Sequence, residues 1–473
     1  LPSLPVPGLT RLRVRRASGS IPVNLSAPCS NVFSAGEIED YSISITPPPI
    51  VIYFAPFADT LYDPVINLTA RITQNSIGLD NTSDLKPRLW YKRPGSSGWK
   101  SSQGTLISGT LNDGNWKFPV YHDSLNFRRN SCDSVQFYFV AQDLTNPPNL
   151  GYLPEPALHS NVNTQTSAPA ILFGYRLKPR LKDTIYIGTS DCRYRSLSGT
   201  NGLFQQINAR KLEGNLRILI ETDLLEDGVH DLKGSSQNGY SITISPATST
   251  IKNIQANNIC TNSILLNNAK NILIDGSYSG TGKFLKFKQT FSPYGDTMTN
   301  IKMFNSCDTI ILKNLLFEDI STHHGGSEYS VLLSGGNNKN IVIANNLFTS
   351  TSNLQMAECY IASNHGDNRA LIRGNEFNNF LQYGILISSP CDNWIIDSNH
   401  FYKSIISTEY VLNVSAVSVK GGGHQIINNY IGGSEPFCAG TPYKYLDFLP
   451  YSFAGIQAQS PGGSSHCIIS NNQ

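Results

Sequence analysis

Between Asn271 and Asn472 one short phrase returns seven times, and a phrase that recurs at this interval is the mark of a repeat architecture. The copies read Asn271-Ile-Leu-Ile-Asp-Gly276, Thr309-Ile-Ile-Leu-Lys-Asn314, Asn340-Ile-Val-Ile-Ala-Asn-Asn-Leu-Phe348, Arg369-Ala-Leu-Ile-Arg-Gly-Asn-Glu-Phe377, Asn393-Trp-Ile-Ile-Asp-Ser-Asn-His-Phe401, His424-Gln-Ile-Ile-Asn-Asn-Tyr430 and His466-Cys-Ile-Ile-Ser-Asn-Asn472. Anchored on Ile274, Leu312, Ile343, Ile372, Ile396, Ile427 and Ile469, they are about 24 to about 42 residues apart, as in solenoid coils with loops of unequal length.

The copies share columns. Ile272, Ile310, Ile341, Ala370 and Trp394 stand two residues before their anchors, so on a strand both point the same way. Asn346, Asn375, Asn399 and Asn472 follow three residues later, where Asn suits a left-handed corner and can stack coil on coil. Phe317, Phe348, Phe377 and Phe401 follow at five and are expected to fill the interior. These columns predict a parallel β-helix.

At 473 residues the chain exceeds one ordinary core, and four segments are expected. Residues 1–46 read as paired strands. Residues 47–168, opened by Pro47-Pro-Pro49, carry short alternating segments of β-sandwich type with Trp90 and Trp116 in the core. Residues 169–212 form a connector and an N-terminal cap with a Leu203–Asn208 helix, and 213–473 the solenoid, whose first coils are Leu216–Ile220 and Tyr240–Ile244. The fold class is therefore all-β.

With 15% charged residues and a net charge of +2, no basic face is offered to nucleic acid or anionic lipid. No apolar run approaches the ~18 residues of a membrane span. The chain opens at Leu1 and stops at Gln473 inside a repeat, and is expected to be a segment of a longer exported polypeptide. Nine cysteines form no CxxC pair and no metal-type cluster, and their connectivity stays open. Cys307 and Cys391 share one corner column but sit too many coils apart to bond.

Gly36-Glu-Ile-Glu-Asp-Tyr41, after an Arg-Val-Arg strand and the Pro28-Cys29 pair, resembles the end of the GEVED domain. The run from Thr184-Ile-Tyr-Ile-Gly188 through the cap helix to Leu212-Glu-Gly-Asn215 resembles the opening of β-helix domains in large surface proteins exported by type IX secretion. That resemblance implies a right-handed β-helix of the pectate-lyase type, an Ig-like sandwich, a cell-surface or secreted location, and the type IX machinery as a partner during export. The six Asp-Ser/Thr-aliphatic triplets resemble the O-glycosylation sequon of the same bacteria, with Thr60, Ser124, Ser134, Thr184, Thr297 and Thr309 as acceptors.

Catalysis on such a fold would use carboxylates on neighbouring coils, with calcium or a basic residue. The outward column Asp275, Lys313, Ala344, Arg373, Asp397, Asn428 and Ser470 holds no such pair. His323, His324, Asp367 and Arg373 are the weak catalytic candidates; Glu37, Glu39 and Asp40 are the acidic cluster of the N-terminal strands. Neither a cofactor nor a metal is assigned, calcium being compatible with the fold but not indicated. Tyr443, Tyr445, Phe448 and Tyr451 form an aromatic insertion that could meet a glycan or partner. The expected function is non-enzymatic: an adhesin or stalk segment presenting a rigid solenoid to surface glycans or to other copies of itself. The alternatives are a polysaccharide lyase or hydrolase, and a filament subunit growing from the open edge at Ser470–Gln473.

Overall fold

The computed structural model describes residues 8–17, 36–45, 48–127, 133–155, 158–188, 194–257, 262–289, 297–319, 328–351, 356–405, 413–443, 452–459 and 466–473. It divides into two compact units, Leu1–Arg129 with Asp133–Lys178, and Pro179–Gln473.

In the first unit, Gly8–Ala17 pairs antiparallel with Gly36–Ile45, and Arg13 grips Asp40 through two 2.7 Å hydrogen bonds. That grip holds the Asp40 carboxyl below its ordinary range, so this member of the acidic cluster is used as an ion-pair partner. A six-stranded and a four-stranded sheet form a sandwich. Strict alternation builds its core: Leu68, Ala70 and Ile72 on Val65–Thr73 lie beside Trp116, Phe118 and Val120 on the paired strand Asp113–Tyr121, and pack with Leu89, Tyr91, Phe137 and Phe139 from the other sheet. Trp90 is corrected: neighbour to core residues Leu89 and Tyr91, it points the other way. It joins a smaller cluster with Tyr138 and Val140 and donates to the Val162 carbonyl at 3.1 Å. The sandwich sheet runs beyond the expected boundary at 168, because Phe173–Lys178 pairs with Ser134–Gln142.

The second unit is a parallel β-helix. An 18-stranded sheet supplies two parallel ladders and an eight-stranded sheet the third, so each regular coil has three strands, such as Met298–Phe304, Asp308–Lys313 and Leu315–Asp319. The expected Phe column is fully buried and begins one coil earlier, at Phe287. Ring centroids are 5.2 Å apart for Phe287–Phe317, then 4.6, 4.9 and 4.6 Å down to Phe401, the last three pairs within 5° of parallel.

The Asn column is a hydrogen-bonded ladder. The backbone N–H and the Nδ2 of Asn346 both donate to Oδ1 of Asn375, at 3.0 Å each, and Asn375 does the same to Asn399. Each Nδ2 also reaches back to the preceding anchor carbonyl, as Asn375 does to Ile343 at 2.8 Å. Two expectations are corrected. The left-handed corner lies one residue before the ladder, at Asn314, Asn345, Gly374, Ser398, Asn428 and Asn471. And the sixth anchor is Ile426, which aligns with Ile396; this moves Ile427 to the outward column in place of Asn428 and brings Asn429 into the ladder.

The solenoid begins earlier than expected. Asp183–Ile187 pairs parallel with Leu216–Ile220 and is the terminal strand of the large sheet. Between them in sequence, helix α1 (Leu203–Arg210) buries Leu203, Phe204 and Ile207 in the solenoid core. Asn208 satisfies the edge it covers: Nδ2 donates to the Asp231 carbonyl at 2.7 Å and Oδ1 accepts the Lys233 amide at 3.2 Å.

Candidate functional site

On the wall beside the anchors, ion pairs join neighbouring coils. Lys313 meets Asp275 at 3.1 Å and Arg373 meets Asp397 at 3.2 Å, so Arg373 is a partner in a coil-to-coil pair rather than a base facing an open site. Asp367 is buried in a corner column with Cys307, Asn338 and Cys391; its carboxylate accepts from the Asn338 backbone amide and Nδ2 at 2.9 and 2.8 Å and from Ser363 Oγ at 2.7 Å. Burial raises its pKa and these hydrogen bonds offset part of that rise. It holds the corner from a fully buried position. His323 and His324 lie outside the described residues, as do Tyr445, Phe448 and Tyr451; Tyr443 donates to the Phe401 carbonyl at 2.6 Å. Trp394 is interior, its Nε1 donating to the Asp367 carbonyl at 3.1 Å. Among the described residues no three His, Cys, Asp or Glu side chains converge on a metal position, and no helix is long and apolar enough to cross a membrane.

A groove of about 510 Å³ opens at the capped end of the solenoid, lined by Arg195, Thr200, Asn201, Thr222, Asp223, Leu225 and Asp227 among others. The strand Leu224–Glu226 builds one side. Its alternation turns Leu224 and Glu226 inward and leaves Asp223, Leu225 and Asp227 outward, with Leu225 58% exposed between two carboxylates. At the ~3.3 Å rise of a strand, the two Asp Cα atoms stand roughly 13 Å apart.

Asp223 accepts from the Asn253 backbone amide and Nδ2, both at 2.9 Å. Desolvation raises its pKa, but these hydrogen bonds and the charges of Lys252 and Lys288 outweigh it, leaving the group below its ordinary value and ionised. Asp227 accepts the Val229 amide at 3.1 Å through one oxygen and the Thr200 amide at 3.3 Å through the other. The facing segment, Ser196–Asn201, is fixed from beneath by the inward Glu226. Its oxygens accept the Leu197 and Ser198 amides at 2.7 Å and Ser198 Oγ at 2.6 Å. Burial, the largest influence, pushes this carboxyl up to about 7, the three hydrogen bonds opposing it.

Asp223 also starts an outward column on the third face, which register carries through Asn253, Lys286, Leu316, Leu347, Glu376 and His400 to Tyr430. Sequence reasoning missed the groove because it sought carboxylates on successive coils beside the anchors. The available signal was the alternation of Asp223, Leu225 and Asp227 around two inward residues.

No protein-family model and no curated protein matches the chain. Among solved structures, similarity extends to the catalytic domain of a GH87 alpha-1,3-glucanase in complex with nigerose, at 10% identity over 90% of this chain and 92% of that one, with a TM-score of 0.17. A variant of such a domain in complex with tetrasaccharides gives the same identity, coverage and TM-score. The Agl-KA catalytic domain gives 10% identity over 87% and 98%, with a TM-score of 0.12. The expectation of a non-enzymatic chain is corrected here, since the solved chains similar to it include glycoside hydrolase catalytic domains. At these scores no residue is carried across, and the site stands on its own geometry.

Proposed function

We propose that the chain is a polysaccharide-hydrolysing β-helix acting at the groove beside the cap. The observation that carries this reading is the placement of Asp223 and Asp227 on one outward strand edge, both lining the same open groove with an exposed apolar Leu225 between them. Glycosidic hydrolysis needs one carboxylate to protonate the leaving oxygen and a second to activate water or attack the sugar, on opposite sides of the scissile bond. Asp223, held ionised by Asn253, takes the base or nucleophile role, and Asp227 the acid. Leu225 supplies an apolar floor, and Arg195 and Asn201 bring donors for sugar hydroxyls.

The test incubates the purified chain with neutral and acidic polysaccharides and follows new reducing ends. Asp223→Asn and Asp227→Asn should each lower the rate at least ~100-fold, the scale of lost acid–base catalysis, with unchanged melting. Hydrolysis that survives both substitutions, or none on any polymer, removes the assignment.

An exported setting is part of this reading. The hydroxyls of Thr60, Ser124, Ser134, Thr184, Thr297 and Thr309 all belong to residues that are exposed or half-buried, which supports O-linked sugar there and export by the type IX route. Intact mass of protein from the native host checks it: the bare polypeptide mass ends that part of the proposal.

A further inference from the structure

At the far end of the column that begins at Asp223, one aromatic side chain is held where packing gives it little return. Phe437 has φ 60°, in the left-handed region that large side chains rarely enter, and is 64% exposed. Its loop is closed beneath it: the Ser434 and Glu435 amides both donate to the Ala439 carbonyl at 3.1 Å, and the Thr441 amide to Ser434 Oγ at 2.9 Å. The ring is therefore presented by a built loop. It meets His400 at 4.1 Å and Tyr430 at 5.2 Å between ring centroids, both edge-on, and Glu376 precedes His400 in the same column.

We propose that Phe437, His400 and Tyr430 form a platform for a sugar unit of a neutral polysaccharide, and that one polymer chain lies along the third face from this platform to the Asp223 groove. The proposal rests on the hydrolase reading for the groove end only. A pyranose offers an apolar C–H face to an aromatic ring and a rim of hydroxyls to polar neighbours; Phe437 supplies the first, and Glu376 and the Tyr430 hydroxyl the second. The side chains along the column favour a neutral chain over an acidic one: Asp223 and Glu376 place carboxyl groups there, and Lys286 is already paired with Glu318 at 3.0 Å. Seven coil steps of ~4.8 Å separate the two ends, roughly 34 Å, so only a polymer reaches both. Engaging two linked sites raises affinity without any new contact at either.

Binding is measured by co-sedimentation and affinity electrophoresis in an Asp223→Asn background, which keeps the polymer intact. The probes are α-1,3-linked and β-1,3-linked glucans, arabinoxylan and polygalacturonate. Phe437→Ala should weaken binding of at least one neutral polymer about tenfold, while Phe437→Trp retains it. Both variants should melt with the parent, because the ring is largely outside the core. Equal binding by Phe437→Ala and its parent, parent binding confined to polygalacturonate, or no polymer binding overturns the platform. If this background binds a neutral polymer through Phe437 but the chain with Asp223 intact never hydrolyses that polymer, the platform stands and the catalytic assignment alone fails.

Discussion

The coils from Leu312 to Phe401 and the capped end around Glu226 solve the same burial problem in different ways. In the coils whole inward columns repeat a neighbour: Phe348 lies flat on Phe377, Asn346 bonds Asn375, and Ile343 aligns with Ile372. At the cap nothing repeats. A helix replaces a strand, and a buried carboxylate rather than an amide holds the covering segment through three donors. Repetition satisfies the ladder amides with identical ones from the next coil, and a groove of about 480 Å³ on the repeated wall is lined by the apolar Ile311, Val342, Leu371 and Ile395. The break in repetition leaves a groove that carries two carboxylates. In this solenoid, stability lies in the columns, and the candidate chemistry lies where they stop.

The largest expected effect follows from that contrast. Phe377→Ala removes a fully buried ring from between two stacked neighbours that cannot collapse without tilting their coils, and should cost about 3–5 kcal/mol in urea unfolding. Among the described residues the half-buried Ile431, which follows Phe401 in the same column, has a strand neighbour on one side only in this stack, and Ile431→Ala should cost clearly less. Equal losses at the two positions would break the idea that stacking on both sides carries the difference.

The second effect belongs to the cap. Burial raises Glu226 to about 7 from an ordinary 4.5, so between those values the folded chain holds a proton that the unfolded chain has released. Stability should therefore be greatest near pH 4.5, fall as pH rises toward 7, and level off above it, by on the order of 3 kcal/mol. Glu226→Gln should flatten that window, with the urea midpoint followed from pH 4.5 to 7.5. The same slope in the variant would assign the pH dependence to other groups.

The columns were legible because a coil repeats in sequence what it stacks in space. Phe317, Phe348, Phe377 and Phe401 needed only counting. The errors came where two neighbouring residues fit one rule equally well. In His424-Gln-Ile-Ile427 either Ile can be the anchor, and only pairing with Ile396 selects Ile426. In Asn345-Asn346 either Asn suits a left-handed corner, and the ladder takes the second while the corner takes the first. The groove was illegible for a different reason: Ser196–Asn201 and Asp223–Asp227 meet through tertiary contact, and neither carries the repeated phrase.

The Asn ladder supplies a graded test. Asn375→Ala leaves the Asn346 amide and Nδ2 without their acceptor in a dry corner, and should cost about 2 kcal/mol. Asn472 accepts the same pair of bonds from Asn429 but is only half-buried, so water can replace it and Asn472→Ala should cost a fraction of that. Hydrogen exchange reads this directly, with the Asn346 amide losing far more protection in the first variant than the Asn429 amide in the second. Comparable losses would mean that burial does not set the ladder's worth.

The smallest effect is expected on the wall that carries Arg373, a weak catalytic candidate of the sequence. Arg373 pairs with Asp397 at 3.2 Å, but its side chain is 63% exposed, so solvent screens the attraction and ordering a long side chain offsets much of it. Arg373→Ala should change stability by less than about 1 kcal/mol, and less again at high salt. It should also leave glycan hydrolysis at the parent rate, since the groove is built by Asp223, Leu225 and Asp227 at the capped end and Arg373 does not line it. Hydrolysis lost in Arg373→Ala but kept in Asp223→Asn would move the active site from the break in the repeat to the repeated wall. It would also reverse the separation between columns that stabilise and a cap that reacts.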